Sequence, residues 1–333
     1  MSERQHVKYD ALIARCKGLP ATPCAVAHPC DESSLRGAVE AAELGLIRPI
    51  LVGPAARIAA VAAQFGIDIS PFEVVDAPHS VASAETAVRL AREGKAEMLM
   101  KGSLHSDEIM AAVVKRDTGL RTSRRVSHCF IMDVPAIDRV VFVTDAAVNI
   151  FPTLEDKVHI VQNAIDLAHA LGLAEPKVAI LSAMETINPK VPSTIEAAAL
   201  CKMADRGQIT GGLLDGPLAL DNAIDLGAAK IKKIDSPVAG QADILVVPDL
   251  ESGNMLAKQL EYLGGASSAG IVLGARVPIV LTSRADSREA RIASCAVALV
   301  AARPGSFRAA ALPSPVAAPM RFASAAPPVE MEA

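Results

Sequence analysis

Apolar and polar positions along the chain alternate between two periods. Short, nearly uninterrupted apolar runs at residues 23–28, 47–52, 98–101, 126–132, 139–143, 177–181, 209–213, 244–247 and 277–281 predict buried strands. Between them, apolar positions spaced three and four apart predict helices over 32–44, 55–65, 81–93, 106–114, 154–171, 193–206, 254–263 and 287–302. Ser33 and Ser34 mark the start of the first helix, and Gly66 closes the second. Strands that alternate with helices predict an α/β fold with mostly parallel sheets and right-handed crossovers. After Arg303 the periodicity stops. Residues 304–333 are rich in Ala, Pro and Ser, a composition that predicts a disordered tail carrying no chemistry.

Composition narrows the class. A chain of 333 residues is long enough for two domains of ordinary size. Hydrophobic residues make up 51% and aromatics only 3%, with no Trp, so the core must be built from Ala, Val, Leu and Ile. Mean hydropathy is positive, yet no apolar run approaches the roughly 20 residues that a membrane-spanning helix needs. The first residues, Met1 to His6, lack the basic-then-apolar order of a signal peptide. A net charge of −4 without a basic stripe argues against nucleic-acid and membrane partners. The expected setting is the cytoplasm. Cys16, Cys24, Cys30, Cys129, Cys201 and Cys295 form no C-x-x-C pair and read as reduced, mostly buried thiols. Cys24 and Cys30 flank His28 without the spacing of a zinc site, and no metal is expected. Neither a Walker loop nor a strict G-x-G-x-x-G is present.

Polar clusters recur where the predicted strands stop. After 277–281 come Ser283, Arg284 and Asp286, a hydroxyl, a guanidinium and a carboxylate within four positions. At the carboxyl end of a parallel strand, Arg284 would grip an oxyanion or phosphate through a rigid fork of donors. Ser283 would donate to a developing oxyanion, and Asp286 would take a proton. The same residues also read as a helix start, with Ser283 or Asp286 as N-cap. Other strand ends carry Lys101 with Gly102, Asp145 with Asn149, Asp215 with Gly216, Pro217 and Asp221, and Asp249 with Asn254. Each of these also reads as a turn and cap. Their recurrence predicts convergence on one crevice.

Taken in order, Lys101 and Gly102, Val126 and Ser127, Asp145 with Asn149 and Pro152, Asp215, Gly216, Pro217 and Asp221, the runs 248–254 and 270–274, and Ser283 with Arg284 resemble the phosphate acetyltransferase/phosphate butyryltransferase family. The resemblance covers about residues 10–302, and the run from Ser283 to Ser287 resembles the butyryltransferase side. It implies two α/β domains, similar to those of isocitrate and isopropylmalate dehydrogenases, with an interdomain cleft. The first would comprise 1–143 plus 280–303 and the inserted second 144–279. It also implies a homodimer.

The implied reaction moves an acetyl or other short acyl group between CoA and inorganic phosphate, giving an acyl phosphate by direct attack in a ternary complex. Acyl-CoA, phosphate and acyl phosphate are then the partners, with CoA as substrate rather than a tightly bound cofactor. The resemblance gives Arg284 the phosphate and Ser283 the tetrahedral oxyanion. It also implies substrate-binding roles for Lys101, Gly102, Ser127, Asn149, Asp215, Asp221, Asp249 and Asn254. The acetyltransferase branch carries an Asp seven positions after the serine, where this chain has Ala290, so the base role passes to Asp286, with Glu289 nearby.

Several features keep two readings at this level. Arg121, Arg124 and Arg125 form the densest basic cluster, a clamp for a diphosphate or phosphate, or a solvated face. His105 and His128 suit acid–base chemistry or structural roles. The glycine-rich segment 264–270 suits phosphate contact or close packing. A metal- and NAD-dependent dehydrogenase on the same fold would need an aspartate cluster, and Asp215, Asp221 and Asp249 are too scattered for one. The alternative to the enzyme is a catalytically weak regulatory or ligand-binding domain of the same family, which need not keep Ser283 and Arg284.

Overall fold

A computed structural model describes residues 7–283 and 286–303. Its strands are β1 (Thr22–Ala27), β2 (Ile47–Gly53), β3 (Glu73–Asp76), β4 (Met98–Lys101), β5 (Ser127–Asp133) and β6 (Val141–Thr144). They continue with β7 (Lys177–Leu181), β8 (Leu213–Leu218), β9 (Ile244–Val246), β10 (Ser267–Leu273) and β11 (Ile279–Val280). The helices are α1 (Val7–Cys16), α2 (Glu32–Glu43), α3 (Ala55–Phe65), α4 (Ser80–Arg92), α5 (Ser106–Val113) and α6 (Leu154–Ala170). Then follow α7 (Pro192–Asp205), α8 (Leu220–Ile224), α9 (Leu226–Ile231), α10 (Leu250–Tyr262) and α11 (Arg288–Ala301). No helix among the described residues is long and apolar enough to cross a membrane.

Local chemistry sets the helix ends. Asp31 caps α2 by accepting from the Ser34 amide at 2.9 Å. Thr153 with Asp156, and Asp249 with Ser252, form capping boxes on α6 and α10. Gly66 ends α3 at φ 61°, in the left-handed region that glycine enters without strain.

All strands join one sheet in the order β3-β2-β1-β4-β11-β10-β5-β6-β9-β7-β8. Each strand feeds two core layers by the period-two rule. Met98 and Met100 of β4 pack with Val26, Val280 and α11, while Leu99 packs on the other face with Ala25, Ala27 and Ile279. Burial on both faces explains why these strands are continuously apolar. The last helix, α11, packs on α1 and α2.

The sheet is mixed. β1, β2, β3, β4 and β11 pair in parallel, as do β6, β9, β7 and β8. Between these sets, β10 runs antiparallel to both β11 and β5, and β5 antiparallel to β6. Three reversals make the two parallel sets run in opposite directions.

The sequence reading misses α1, α8 and α9 and starts α10 at 254 rather than at Leu250, and three further segments differ. The strand expected at 209–213 is β8, Leu213–Leu218, so Asp215, Gly216 and Pro217 lie within it rather than after it. As the last strand of the sheet, β8 tolerates a proline that donates no hydrogen bond. Within 264–270, Ser267 to Gly270 belong to β10. A Cβ on Gly270 would stand 2.8 Å from the Leu281 carbonyl oxygen and 3.1 Å from His128 Nε2, so this glycine serves close packing. The short edge strand β3 escapes the periodicity because its residues Glu73, Val74, Val75 and Asp76 are half-buried or exposed and carry little apolar signal.

His128 on β5 is 1% exposed, and its Nδ1 has no hydrogen-bond partner among the described residues. Burial, with the Lys258 charge nearby, pushes its pKa down from 6.5 to about 3. The unfolded chain takes up a proton near pH 6.5 that the folded ring refuses, so this site costs stability as pH falls below 6.5. Replacing the ring with His128→Leu removes that linkage. The stability of the variant relative to wild type is expected to rise as pH falls below 6.5, at a rate approaching about 1.4 kcal/mol per pH unit. Urea titrations of both proteins across this range check it, and a pH-independent gap would refute a neutral buried ring.

Candidate active site

The carboxyl ends of β1, β4 and β11 open at one end of the sheet and meet the N-terminus of α2. Lys101, the last residue of β4, is 5% exposed, and its Nζ donates to the Thr282 carbonyl at 3.3 Å. Gly102 follows because nothing larger fits: a Cβ there would stand 2.4 Å from the Ala27 oxygen and 2.5 Å from the His28 oxygen. Its N–H donates to Ala27 O at 2.8 Å, and the Ser103 N–H and hydroxyl both donate to His28 O. His28 itself holds φ 58°, a left-handed conformation uncommon outside glycine. Its ring nitrogen Nδ1 meets the Ser83 hydroxyl at 3.0 Å.

The segment after β11 closes over this end. The Ser283 N–H donates to Asp286 Oδ2 at 2.7 Å, and the Asp286 N–H donates back to Ser283 O at 3.2 Å. The cap of α11 is Ser287, whose Oγ accepts from the Ala290 amide at 3.1 Å. Neither Ser283 nor Asp286 therefore fills the N-cap position that the sequence left open to them. Burial raises the Asp286 pKa above the usual carboxylate range, opposed by the Ser283 amide and the Lys258 charge, with Glu261 pushing it further up and Arg291 down. Lys258 and Glu261 belong to α10 and pair at 2.7 Å. Arg284 lies outside the described residues.

Asp31, Ser34, Lys101, Gly102, Ser283 and Arg291 line one small recess here. Three of them escaped the sequence reading of the site. Ser34 was read only as part of a helix start, and Asp31, the N-cap of α2, was not read at all. Arg291 carried a usable signal, the lone charged side chain among the buried residues of α11.

Ser127, Asn149, Asp215, Asp221, Asp249 and Asn254 sit elsewhere, because β6, β9, β7 and β8 run the other way. Along β10, Ser268 is level with the Ser283 end and Leu273 pairs with Ser127; five residues of strand separate the two ends by about 17 Å. Within one chain, then, the polar strand ends do not share one crevice. Most of the second group is engaged locally. Ser127 Oγ accepts from Asn163 Nδ2 at 2.9 Å. Asn149 donates to Asp145 Oδ2 at 2.6 Å and to Val126 O at 2.9 Å, and accepts from Arg125 Nε at 2.8 Å. Asp145 also accepts from the Ala147 and Val148 amides, while burial raises its pKa. Asp215 accepts from the Gly216 amide, Asn254 donates to Ala146 O, and Asp249 caps α10. Asp221 pairs with Lys232 at 3.1 Å, which lowers its pKa.

The arginine cluster belongs to this second end. Arg124 pairs with Asp166 and Arg125 with Asp156, both at 3.2 Å, so α6 answers two of the three arginines read as a phosphate clamp.

Comparison with known proteins bears on this arrangement. A family model described as "Phosphate acetyl/butaryl transferase" matches residues 79–299. The chain belongs to that family. It is 64% identical over 309 residues to a phosphate acetyltransferase of Rhizobium meliloti, covering 92% of this chain and 98% of the relative. It is 42% identical over 294 residues to a phosphate butyryltransferase of Clostridium acetobutylicum, covering 88% and 98%. Among solved structures, a branched-chain phosphotransacylase from Enterococcus faecalis superposes with a TM-score of 0.73 at 30% identity, covering 85% of this chain and 99% of that one.

The cap assignment is open to test. Ser287→Ala should lower stability by about 1 kcal/mol, while Asp286→Asn, whose amide oxygen still accepts from Ser283, should leave the melting temperature almost unchanged. Thermal denaturation of both variants checks this. The reverse ranking would return the cap to Asp286.

Proposed function

We propose that this chain transfers a short acyl group between CoA and inorganic phosphate by direct attack in a ternary complex. The observation that carries the reading is the recess that Lys101 and Ser283 line at the carboxyl ends of β4 and β11, with Asp286 holding the Ser283 amide beside it. Toward acyl-CoA, Asp286 takes the CoA thiol proton and the thiolate attacks the acyl phosphate carbonyl. The Ser283 hydroxyl stabilises the tetrahedral oxyanion, and phosphate leaves toward Lys101 and Arg284. Toward acyl phosphate, a phosphate oxygen attacks the thioester carbonyl, and the departing thiolate regains its proton from Asp286.

Working residues in this reading are Ser283, Arg284, Asp286, Lys101 and Gly102, the last by letting β4 approach His28. Ser127, Asn149, Asp215, Asp221, Asp249 and Asn254 stay outside the set, since they lie at the other end of the sheet. The domain division into 1–143 plus 280–303 and 144–279, resembling the isocitrate and isopropylmalate dehydrogenases, is supported by the packing of α11 on α1 and α2. A cytoplasmic setting agrees with six free cysteines, and a homodimer with the family resemblance.

The test measures CoA thiol release from acetyl-CoA and butyryl-CoA in the presence of phosphate. Phosphate-dependent release that persists in EDTA is expected, and the preferred thioester fixes the acyl chain. No release from either thioester would overturn the reading. For Asp286→Asn, turnover should fall by about 10²–10⁴-fold, the range for a general base. Because burial raises the Asp286 pKa, the acidic limb of the wild-type rate profile should lie above the ordinary carboxylate range. That limb should disappear in the variant.

A further inference from the structure

Lys258 and Glu261 stand one turn apart near the carboxyl end of α10. Lys258 Nζ donates to Glu261 Oε2 at 2.7 Å, and the buried Ser268 hydroxyl of β10 donates to the other oxygen, Oε1. With both oxygens engaged, the carboxylate is tied to the sheet. It fixes in turn an ammonium that otherwise moves freely on its flexible stem. Lys258 Nζ also lies 5.9 Å from the centre of the Tyr262 ring, within cation–π reach. Burial works against the lysine charge, but the Glu261 bond and carboxylate, with Asp286 and Tyr262 adding, hold its pKa above the ordinary 10.5.

The sheet register brings this pair to the candidate site. Beyond the pairs Ile271–Val280 and Val272–Ile279, the Leu281 N–H donates to Gly270 O at 3.4 Å, so Ser268 comes level with Ser283. Asp286 Oδ2 accepts from the Ser283 amide at 2.7 Å. The line from Lys258 through Glu261 to Ser268 therefore ends beside the backbone that holds Asp286. Charges reach Asp286 from two helices: Lys258 and Glu261 of α10, and Arg291 of α11. Burial raises its pKa, the Ser283 amide and Lys258 lower it, Glu261 raises it and Arg291 lowers it. A carboxylate that is to accept a proton must first be ionised, and desolvation alone favours its neutral form. In the domain division proposed above, α10 belongs to 144–279 and Asp286 to 280–303, so the charge acts from one unit on the other.

We propose that Lys258 is a positioning residue of the transfer, a fixed cation that keeps Asp286 ionised for the thiol proton, and that Glu261 anchors it. The proposal rests on the phosphotransacylase reading above, in which Asp286 moves that proton. It adds two residues of α10 that act through Asp286 and not on the substrates.

Rate profiles of the full chain against pH test it. In Lys258→Met the acidic limb should move up by roughly one pH unit, the low end of what a nearby opposite charge exerts. Lys258→Arg keeps the charge and should return the limb close to wild type. Glu261→Gln still accepts from Lys258 but loses its own charge, so the limb should move the other way, to lower pH. KM for phosphate and for acyl-CoA should stay near wild type in all three. A limb that stays in place in Lys258→Met, or moves the same way in Lys258→Met and Glu261→Gln, would overturn the proposal. A large rise in either KM in Lys258→Met would overturn it too, by making the lysine a substrate contact. Should Glu261→Gln fail to fold, Lys258→Met and Lys258→Arg carry the decision. If Asp286→Asn erases the limb while Lys258→Met leaves it, this proposal alone fails; if Asp286→Asn keeps the limb, the assignment of Asp286 fails with it. A carboxyl-carbon NMR titration of Asp286, its signal identified by loss in Asp286→Asn, reads the same shifts without turnover. A chain without transferase activity would then count against the functional reading, while the titration still decides the role of Lys258.

Discussion

The antiparallel ladder of β10 is the constraint on which the rest depends. All seven of its residues pair with β5 on one side, and Ile271 and Val272 pair with β11 on the other. Such close approach requires Gly270, since a methyl group there would meet the Leu281 carbonyl and the His128 ring. With β10 and β5 in place, the parallel sets on either side must run in opposite directions. Loops rich in Asp, Asn and Gly follow the strands of both sets, but they open at opposite ends of the sheet.

At the end bearing Ser283, backbone geometry and charge act together. Gly102 brings β4 against Ala27 and His28, and the left-handed His28 presents its carbonyl to Ser103. That latch holds Lys101 with its ammonium against the Thr282 carbonyl. Because Ser287 caps α11, Asp286 is left to hold the Ser283 amide. Its carboxylate meets Lys258 and Glu261 of α10, so residues more than 20 positions apart set its proton affinity. Desolvation raises that affinity against the pull of the Lys258 and Arg291 charges.

Much of the scaffold was legible. Helices whose caps are written locally, such as α2 behind Asp31 or α6 behind Thr153, begin where the pattern says, and β4 and β7 coincide with their apolar runs. Legibility failed where the signal was weak or ambiguous. β3 is a polar edge strand, and β10 begins inside a Gly- and Ser-rich stretch that looks like a loop until two neighbours pair with it. Ser283, Asp286, Lys101 and Gly102 were visible as polar punctuation after apolar runs. Arg291 and Lys258 were hidden because nothing in their own helices records what lies across from them.

The sequence by itself determined the alternation of strands and helices, the burial of the strands on both faces, most helix starts, and the family, because these depend on periods and motifs a few residues long. Tertiary structure alone decided which strand ends meet. Strand direction is carried by no residue, and an apolar run reads the same whether its neighbour is parallel or antiparallel. The reversal through β10 and β5 separated Ser127 and Asn149 from Ser283, and the packing of α11 across Gly37 brought Arg291 to Lys101. Each of these follows from long-range pairing, where a methyl group or a strand direction counts and local pattern does not.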